Sequence, residues 1–540
     1  MAATAKGVVR RLDALRARRL PHEQAWVDCF NLTWPVRASG FNQNVLDGNQ
    51  IQSNKAKMLD SVGTDAGRIL ASGIMSGATP ANSLWFTLSV AGRKGEQDTS
   101  DSAGDTWLEQ AAQTIFEKIH GSNYDSAGFE AMQDVVGAGW FVLYVDVNDD
   151  TSGYVFEQWP LAECYIASSK RGGRVDTIFR EFEYTAETAA DEYGAGNLSQ
   201  ATQKLLDEAP DTKVKFVHAI YPRATAIEGS LFKNRMPFES VHVEVKQGVV
   251  VREGGFQEFP CIVPRWSLIP GTSYATGPTS DALADLRTLN AIKELELANL
   301  DVATAGMWIA EDDGVLNPRT IKLGPRKVIV ANSVESMKPL MSGGDFNVTF
   351  TSEERLQAAI RKTFMADQLQ PQDGPQMTAT EVHVRVGLIR QLLGPVYGRL
   401  QSEFLAPMVE RCFAIAVRAK WLPPPPPSLA GLDYAVRYTS PLARAQRQEE
   451  VVAMDQFENT LLTEAQVRPE QLDTYDWDAA APYRAKLLGV PAKLLVDPQK
   501  VKQIRDARQK AQQDAAQQQI LASGATSFAN KAGETAGATQ

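Results

Sequence analysis

Only four cysteines occur in 540 residues, Cys29, Cys164, Cys261 and Cys412, and no two of them form a CxxC pair. That scarcity excludes a zinc knuckle and offers no disulfide framework, so they read as buried thiols in a reducing cytoplasm. Histidine is nearly as rare. His22, His120, His218, His242 and His383 lie too far apart along the chain to suggest a local ligand pair, and each is expected to be structural or at the surface. No Gly-Lys dipeptide exists, which removes the phosphate-cradling GxxxxGK(S/T) loop and with it a P-loop ATPase. Neither GxSxG nor HExxH occurs. Long hydrophobic runs are missing as well: the longest, Val135 to Val145, is closed by Asp134 and Asp146 and is too short to cross a bilayer as a helix. The basic N-terminal stretch lacks the apolar segment of a secretory signal. The expectation is a soluble protein with no cofactor and no membrane partner.

What is present is an ordinary globular balance, 44% hydrophobic and 22% charged, with material for several cores. Net charge is -10, from 55 basic and 65 acidic residues. Such a balance argues against a protein whose main task is to grip phosphates, and any contact with DNA should be loose.

The patterning predicts an α+β chain. Val8, Leu12, Leu15, Leu20 and Trp26 give a helix over 8–34, with arginines 10, 11, 16, 18 and 19 on a solvated outer face. A second helix is expected over about 54–75. Strands follow at Ser83 to Val90, at Trp140 to Val147 paired with Tyr154 to Trp159 as a hairpin, and at Val214 to Tyr221, Val241 to Val245 and Val249 to Arg252. Gly277-Pro-Thr-Ser-Asp281 then opens a helix to about Ala303, with Thr279 or Ser280 as its cap and Asp281 in its first turn. An insert over 306–350 carries β-like pieces at Met307 to Ile309, Lys327 to Val330 and Asn347 to Phe350. The capping box Thr351 to Glu354 begins another helix, with Leu356, Ile360 and Phe364 every four residues, to about 369.

A polar loop with two prolines, Gln370 to Gln376, precedes a second capping box, Thr378 to Glu381. Behind that box Val382, Val386, Ile389, Leu393, Val396 and Leu400 describe one packed helical face. Pro395 and Pro407 should kink this helix, and Pro423 to Pro427 should end it, acting as a rigid spacer and not as a ligand for a proline-recognising module. A strand near Tyr434 to Tyr438 and helices over 446–466 and 498–522 follow. The last stretch, 523–540, lacks a hydrophobic face and is expected to be disordered.

One local constellation invites a metal: Asp146, Asn148, Asp150 and Glu157 occupy the first, third, fifth and twelfth places of a calcium loop. Thr151 stands where such a loop needs glycine, and the flanks read as strands. An acidic hairpin turn is the better account.

Three strings are similar to the head-to-tail connecting proteins of podoviruses. They are Arg37 to Asp47 followed by Met75 to Phe86, Thr276 to Asn290, and Met377 to Val382, occurring in that order. The resemblance covers roughly 8–515. It implies a portal fold: a mixed α/β wing over 1–276, a stem helix over 277–305, a clip over 306–350, a second stem helix over 351–370, a tunnel loop over 371–376, a long wing helix and return strand over 377–445, and a helical crown over 446–522. It further implies a ring of about twelve subunits around a DNA channel at the capsid vertex, assembled in the host cytoplasm. The implied partners are the terminase large subunit, the major capsid protein, scaffolding protein, tail adaptor proteins and double-stranded DNA in transit. Gln370, Gln372, Asp373 and Gln376 would face the tunnel. Arg319, Lys322, Arg326 and Lys327, basic residues clustered in an acidic protein, would dock the motor or tail proteins. Twelve such chains carry a charge on the order of -120, which favours DNA sliding over sticking. A minor capsid or tail adaptor protein is the alternative reading. A metal-dependent nuclease resting on the acidic cluster is the enzymatic one.

Overall fold

The computed structural model describes residues 5–41, 55–82, 84–90, 102–148, 150–227, 232–305, 307–310, 337–340, 346–369, 394, 397–429, 434–438, 441–466, 468–488, 496 and 500–513. They divide between two units, Met1–Trp85 with Gln113–Leu422, and Phe86–Ala112 with Pro423–Gln540.

The first unit opens with α1, Ala5–Asn31, whose Val8, Leu12 and Leu15 recur on one face and are buried. They pack on a five-stranded antiparallel sheet of β4 (Cys164–Ala167), β5 (Thr177–Thr185), β6 (Lys213–Pro222), β7 (Phe238–Glu244) and β8 (Val249–Phe256), in sequence order. Successive side chains of a strand point to opposite faces. Val217 and Ala219 therefore meet α1, while Phe216 meets the opposite layer, α5 (Ala186–Tyr193) and α6 (Gln200–Glu208). Both of those helices start on a hydroxyl cap: Thr185 accepts from the Thr188 amide and Ser199 from the Thr202 amide.

The expected hairpin is present, β2 (Leu143–Val147) pairing with β3 (Tyr154–Gln158), and β9 (Cys261–Ile262) adds to its other edge. Helix α4 (Tyr124–Ala138) packs on this hairpin and on α2 (Val62–Ala78), and α3 (Ser102–His120) precedes it in the chain. Helices α3 and α4 were not among the elements expected from the sequence. The apolar run from Val135 is two elements, not one: α4 ends at Gly139, whose φ of 90° is the left-handed conformation, and the chain then turns into β2. A Cβ on Gly139 would lie 2.2 Å from the Thr276 carbonyl carbon, so glycine is required where the end of α4 meets the start of α7 (Pro278–Ala305).

Several expectations are corrected here. Asn347 to Phe350 are helical, because α8 spans Phe346–Thr363 and the Thr351 to Glu354 box lies inside it; the β preference of Val and Phe is a weak local term that a helix docked elsewhere overrides. After α8 the chain turns at Met365, φ 56°, into the short α9, Ala366–Leu369. Thr279 does not cap α7, since its hydroxyl donates to the Val136 carbonyl at 2.9 Å. Lys327 to Val330 lies outside the described residues; the strand pairing β12 (Met307–Ala310) is β13, Met337–Leu340, with Met307 opposite Leu340. Two further short strands, β10 (Ser267–Leu268) and β11 (Ala275–Thr276), pair just before α7. Pro407 is accommodated by a π-helical turn, Gln401–Leu405, directly before α10, Ala406–Arg418. The wider turn deals with the missing proline donor without ending the helix. Pro395 and the tail over 523–540 lie outside the described residues.

In the second unit β14, Tyr434–Tyr438, pairs with β1, Phe86–Val90, with Phe86 opposite Tyr438. The indole of Trp107 donates to the Pro423 carbonyl at 2.9 Å, which fixes the first of the five prolines. Helices α11 (Pro441–Ala465) and α12 (Trp477–Leu488) pack together, with Arg484 paired to Asp455 at 3.1 Å and also to Glu458. A last helix, α13, covers 500–513. Among the described residues no helix is long and apolar enough to cross a membrane.

Candidate functional site

Both sets of residues singled out in the sequence, Gln370, Gln372, Asp373 and Gln376 and the basic Arg319, Lys322, Arg326 and Lys327, lie outside the described residues. What is described is the framework that leads to them: α7, the β12–β13 pair and α8, with α9 ending one residue before Gln370.

Helix α7 is two halves of different character. Its first turns are anchored, with Ala282, Leu286 and Leu289 buried and Arg287 ion-paired to Asp28 at 2.5 Å. Asn290 closes the anchored half, accepting from the Leu59 amide at 2.8 Å and donating to the Lys57 carbonyl at 3.1 Å. Lys293 then bridges to α8, 2.5 Å from Glu353 and 3.3 Å from Glu296. Burial opposes its charge, but the two carboxylates prevail and hold Lys293 above the ordinary lysine value. Gln357 of α8 donates to both Glu353 and Asp60, and Ile360 and Phe364 are buried.

Beyond this clamp the apolar residues face solvent. Leu295 is 65% exposed, Leu297 49%, Leu300 54% and Phe350 of α8 53%. Leucines placed all round a helix, unlike an amphipathic stripe, require neighbours on more than one side.

The other candidates prove structural. Asp146 accepts from the Tyr144 hydroxyl at 2.6 Å and lies 3.7 Å from Arg411, Asn148 accepts from the Gly153 amide, Asp150 accepts from the Ser152 amide, and Glu157 pairs with Arg180 at 2.8 Å. The acidic turn therefore spends its oxygens on its own hairpin and on Arg411 and Arg180. His218 and His242, far apart in sequence, are cross-strand neighbours in β6 and β7 and stack with centroids 3.8 Å apart. The pair is structural, as expected of each histidine, although their distance in sequence hid that they meet. Their bonds go to Ser240 and Tyr193, and burial followed by nearby positive charge holds both well below the usual histidine value, His242 at about 3. They are neutral packing groups at any ordinary pH.

Of the α1 arginines expected on a solvated face, Arg10, Arg11 and Arg18 are exposed, but Arg16 and Arg19 are not. Arg19 is buried, bonded to Glu23 at 2.6 Å and to the carbonyls of Leu161, Ala162 and Cys164. Arg16 pairs with Glu181 at 2.5 Å, and Arg11 lies over the Phe179 and Tyr221 rings. Sequence reasoning missed the buried Arg265–Glu403 pair at 2.6 Å, since 138 residues separate the partners. The four cysteines are free and buried, as expected, and burial pushes all four thiols up, Cys29 to about 12. An open groove of about 490 Å³ between α2 and α8 is lined by Asp60, Ser61, Asp65, Arg68, Gln357 and Arg361.

Comparison with known proteins agrees with the architecture in pointing to a structural role. A family model described as bacteriophage head to tail connecting protein matches residues 5–495. The chain is 30% identical to a probable portal protein of Bordetella phage BPP-1, covering 97% of this chain and 94% of that one. It is 28% identical to the portal protein of Salmonella phage epsilon15, covering 98% and 95%, and 23% identical to that of Escherichia phage T7, covering 75% and 73%. The neck of an empty gene transfer agent particle superposes at a TM-score of 0.31 with 14% identity, over 77% of this chain and 93% of that one, too loosely to add to the argument. Agreement in sequence over nearly the full length of two phage proteins, with one family spanning both units, leaves a single assignment: this chain belongs to the bacteriophage head-to-tail connecting protein family, the non-enzymatic portal components of the virion at the junction of capsid and tail.

Proposed function

We propose that this chain is the subunit of a ring of about twelve copies that conducts double-stranded DNA during packaging and ejection. The observation that carries the reading is α7: anchored through Leu289, clamped by Lys293, then exposing Leu295, Leu297 and Leu300. Such a helix, roughly 42 Å long at 1.5 Å per residue over its 28 residues, is suited to a channel wall in which each copy covers its neighbours' leucines. On this reading the stem is α7 and α8, the clip is the segment between them, the wing is the region before residue 277 with the segment over 377–421, and the crown is formed by α11, α12 and α13.

Electron microscopy of the purified protein is the direct test, and closed rings with a central hole are the expected result without nucleotide or metal. Leu295→Glu together with Leu300→Glu should abolish rings while leaving the circular dichroism spectrum intact; rings that persist would remove this face from assembly. The clip cluster Arg319, Lys322, Arg326 and Lys327 is the proposed docking surface for the terminase large subunit and later for tail adaptors. Reversing all four to glutamate should leave rings intact and weaken motor binding in a salt-dependent way. Gln370, Gln372, Asp373 and Gln376 are the proposed tunnel loop, and replacing its three glutamines with alanine should impair packaging or DNA retention in intact rings. The major capsid protein and scaffolding protein are the partners proposed for the wing.

A further inference from the structure

Helix α13, over 500–513, stands apart from the rest of the chain in charge. It carries Lys500, Lys502, Arg505, Arg508 and Lys510 against Asp506 alone, a net +4 within a protein of net -10. Every residue on it except Val501 is exposed. Arg505 has a contact of its own, while Lys500, Lys502, Arg508 and Lys510 make no ion pair among the described residues.

We infer that α13 binds the phosphate backbone of double-stranded DNA without sequence preference. The inference rests on the proposed portal reading and names one element of it as a DNA contact.

At about 100° per residue the five cations are distributed round the whole circumference of the helix. A protein surface meets a helix from one side, whereas the major groove admits an α-helix and places phosphates on both flanks. The apolar content points the same way. Ile504, 49% exposed, and the half-buried Val501 are the only large apolar residues on the segment, with no aromatic anchor of the kind that carries protein interfaces. Lys500, Lys502, Arg508 and Lys510 are exposed and make no ion pair among the described residues, so they cost little to redirect toward phosphate.

The test uses the full-length protein and a fluorescent random-sequence duplex of about 30 base pairs, read by anisotropy across a salt series. Four cations neutralising four phosphates steepen the dependence of log affinity on log salt by about 3.6, roughly a hundredfold loss between about 50 and 200 mM. The variant Lys500→Gln, Lys502→Gln, Arg508→Gln, Lys510→Gln keeps good helix formers at every position and should bind at least about tenfold more weakly, with a flatter slope. A second variant, arginine replacing Lys500, Lys502 and Lys510, should bind like the parent. Equal binding by the glutamine variant overturns the inference. So does tighter binding of a poly-glutamate peptide than of duplex, which would make α13 a protein-docking element. Ring formation is scored separately by microscopy: rings without α13-dependent DNA binding sink this inference alone, whereas α13-dependent binding without rings sinks the portal reading instead.

Discussion

Helices α1 and α13 are both rich in cations, and the fold uses them in opposite ways. In α1 three of the five arginines are engaged within the fold, Arg19 by Glu23 and three carbonyls, Arg16 by Asp13 and Glu181, Arg11 by two aromatic faces, while Arg10 and Arg18 are exposed. In α13 four cations remain exposed and unpaired with described residues. Composition alone would treat the two helices alike. The difference is that α1 presents Val8, Leu12 and Leu15 to the five-stranded sheet and so carries its arginines toward partners, whereas α13 has no comparable apolar face. A basic helix is a binding element only when the tertiary structure has not already used its charge.

The sharpest way to break this contrast is at Arg19. Arg19→Met leaves Glu23 as an uncompensated buried charge and three carbonyls without their donor, so the loss should be about 3–5 kcal/mol in denaturant unfolding, with DNA affinity unchanged under folding conditions. Adding Glu23→Leu should recover part of it, because the remaining cost is then desolvated carbonyls and not a lone charge. Full stability in the single variant would mean that the α1 charges are not structural.

The turn after α1 extends the same theme to pH. Arg37 donates to the buried Asp134 at 2.7 Å, and Gln158 donates to its other oxygen. Burial, only partly offset by those two groups, lifts the Asp134 carboxyl from 3.8 to about 6. Between those values the folded protein holds a proton that the unfolded chain has lost. Stability from this group therefore grows as pH falls from about 6 to 3.8 and is at its lower level above 6. Asp134→Asn should flatten that part of the stability profile, measured as the difference between variant and parent.

Smaller effects complete the gradient. Arg11→Ala removes a cation lying 5.0 Å from the Tyr221 ring centre and should cost about 0.5–1 kcal/mol. Replacing the exposed Arg10 and Arg18 with glutamine should change stability by less than about 0.5 kcal/mol, as should the four α13 substitutions. Only the α13 set should reduce affinity for duplex DNA. If the Arg10 and Arg18 variant loses as much, the two helices are equivalent and the comparison fails.

Much of the fold was legible where the signal is local. The hairpin of β2 and β3 follows from alternation on either side of a polar turn, and α7 begins at Pro278, as Gly277-Pro predicted. The apolar spacing of α1 named Val8, Leu12 and Leu15, which face the sheet, but also Leu20, which is exposed. Helix α4 escaped notice because its buried side is wide and rich in alanine and glycine, Ala127, Gly128, Ala131 and Gly137 among them, which blurs the apolar stripe. Helix α3 instead carries a regular stripe of Leu108, Ala111, Ile115 and Ile119 that was legible but not read. Of the candidate site, the helix, insert, helix order was readable, and so was the leucine content of α7. Which leucines are anchored and which are exposed was not.

By itself the sequence determined local elements, the absence of nucleotide and hydrolase motifs, and the order of strings that marks the head-to-tail connecting family, because each of these is written within a window of a few to some twenty residues. Only the tertiary structure decided that Phe86 pairs with Tyr438, that Arg265 meets Glu403, that His218 stacks on His242, and that Arg16 and Arg19 of α1 are spent while Lys500, Lys502, Arg508 and Lys510 of α13 make no ion pair among the described residues. Such contacts join residues tens to hundreds of positions apart. Their existence depends on the path of the chain between them, and no short window of sequence contains that path.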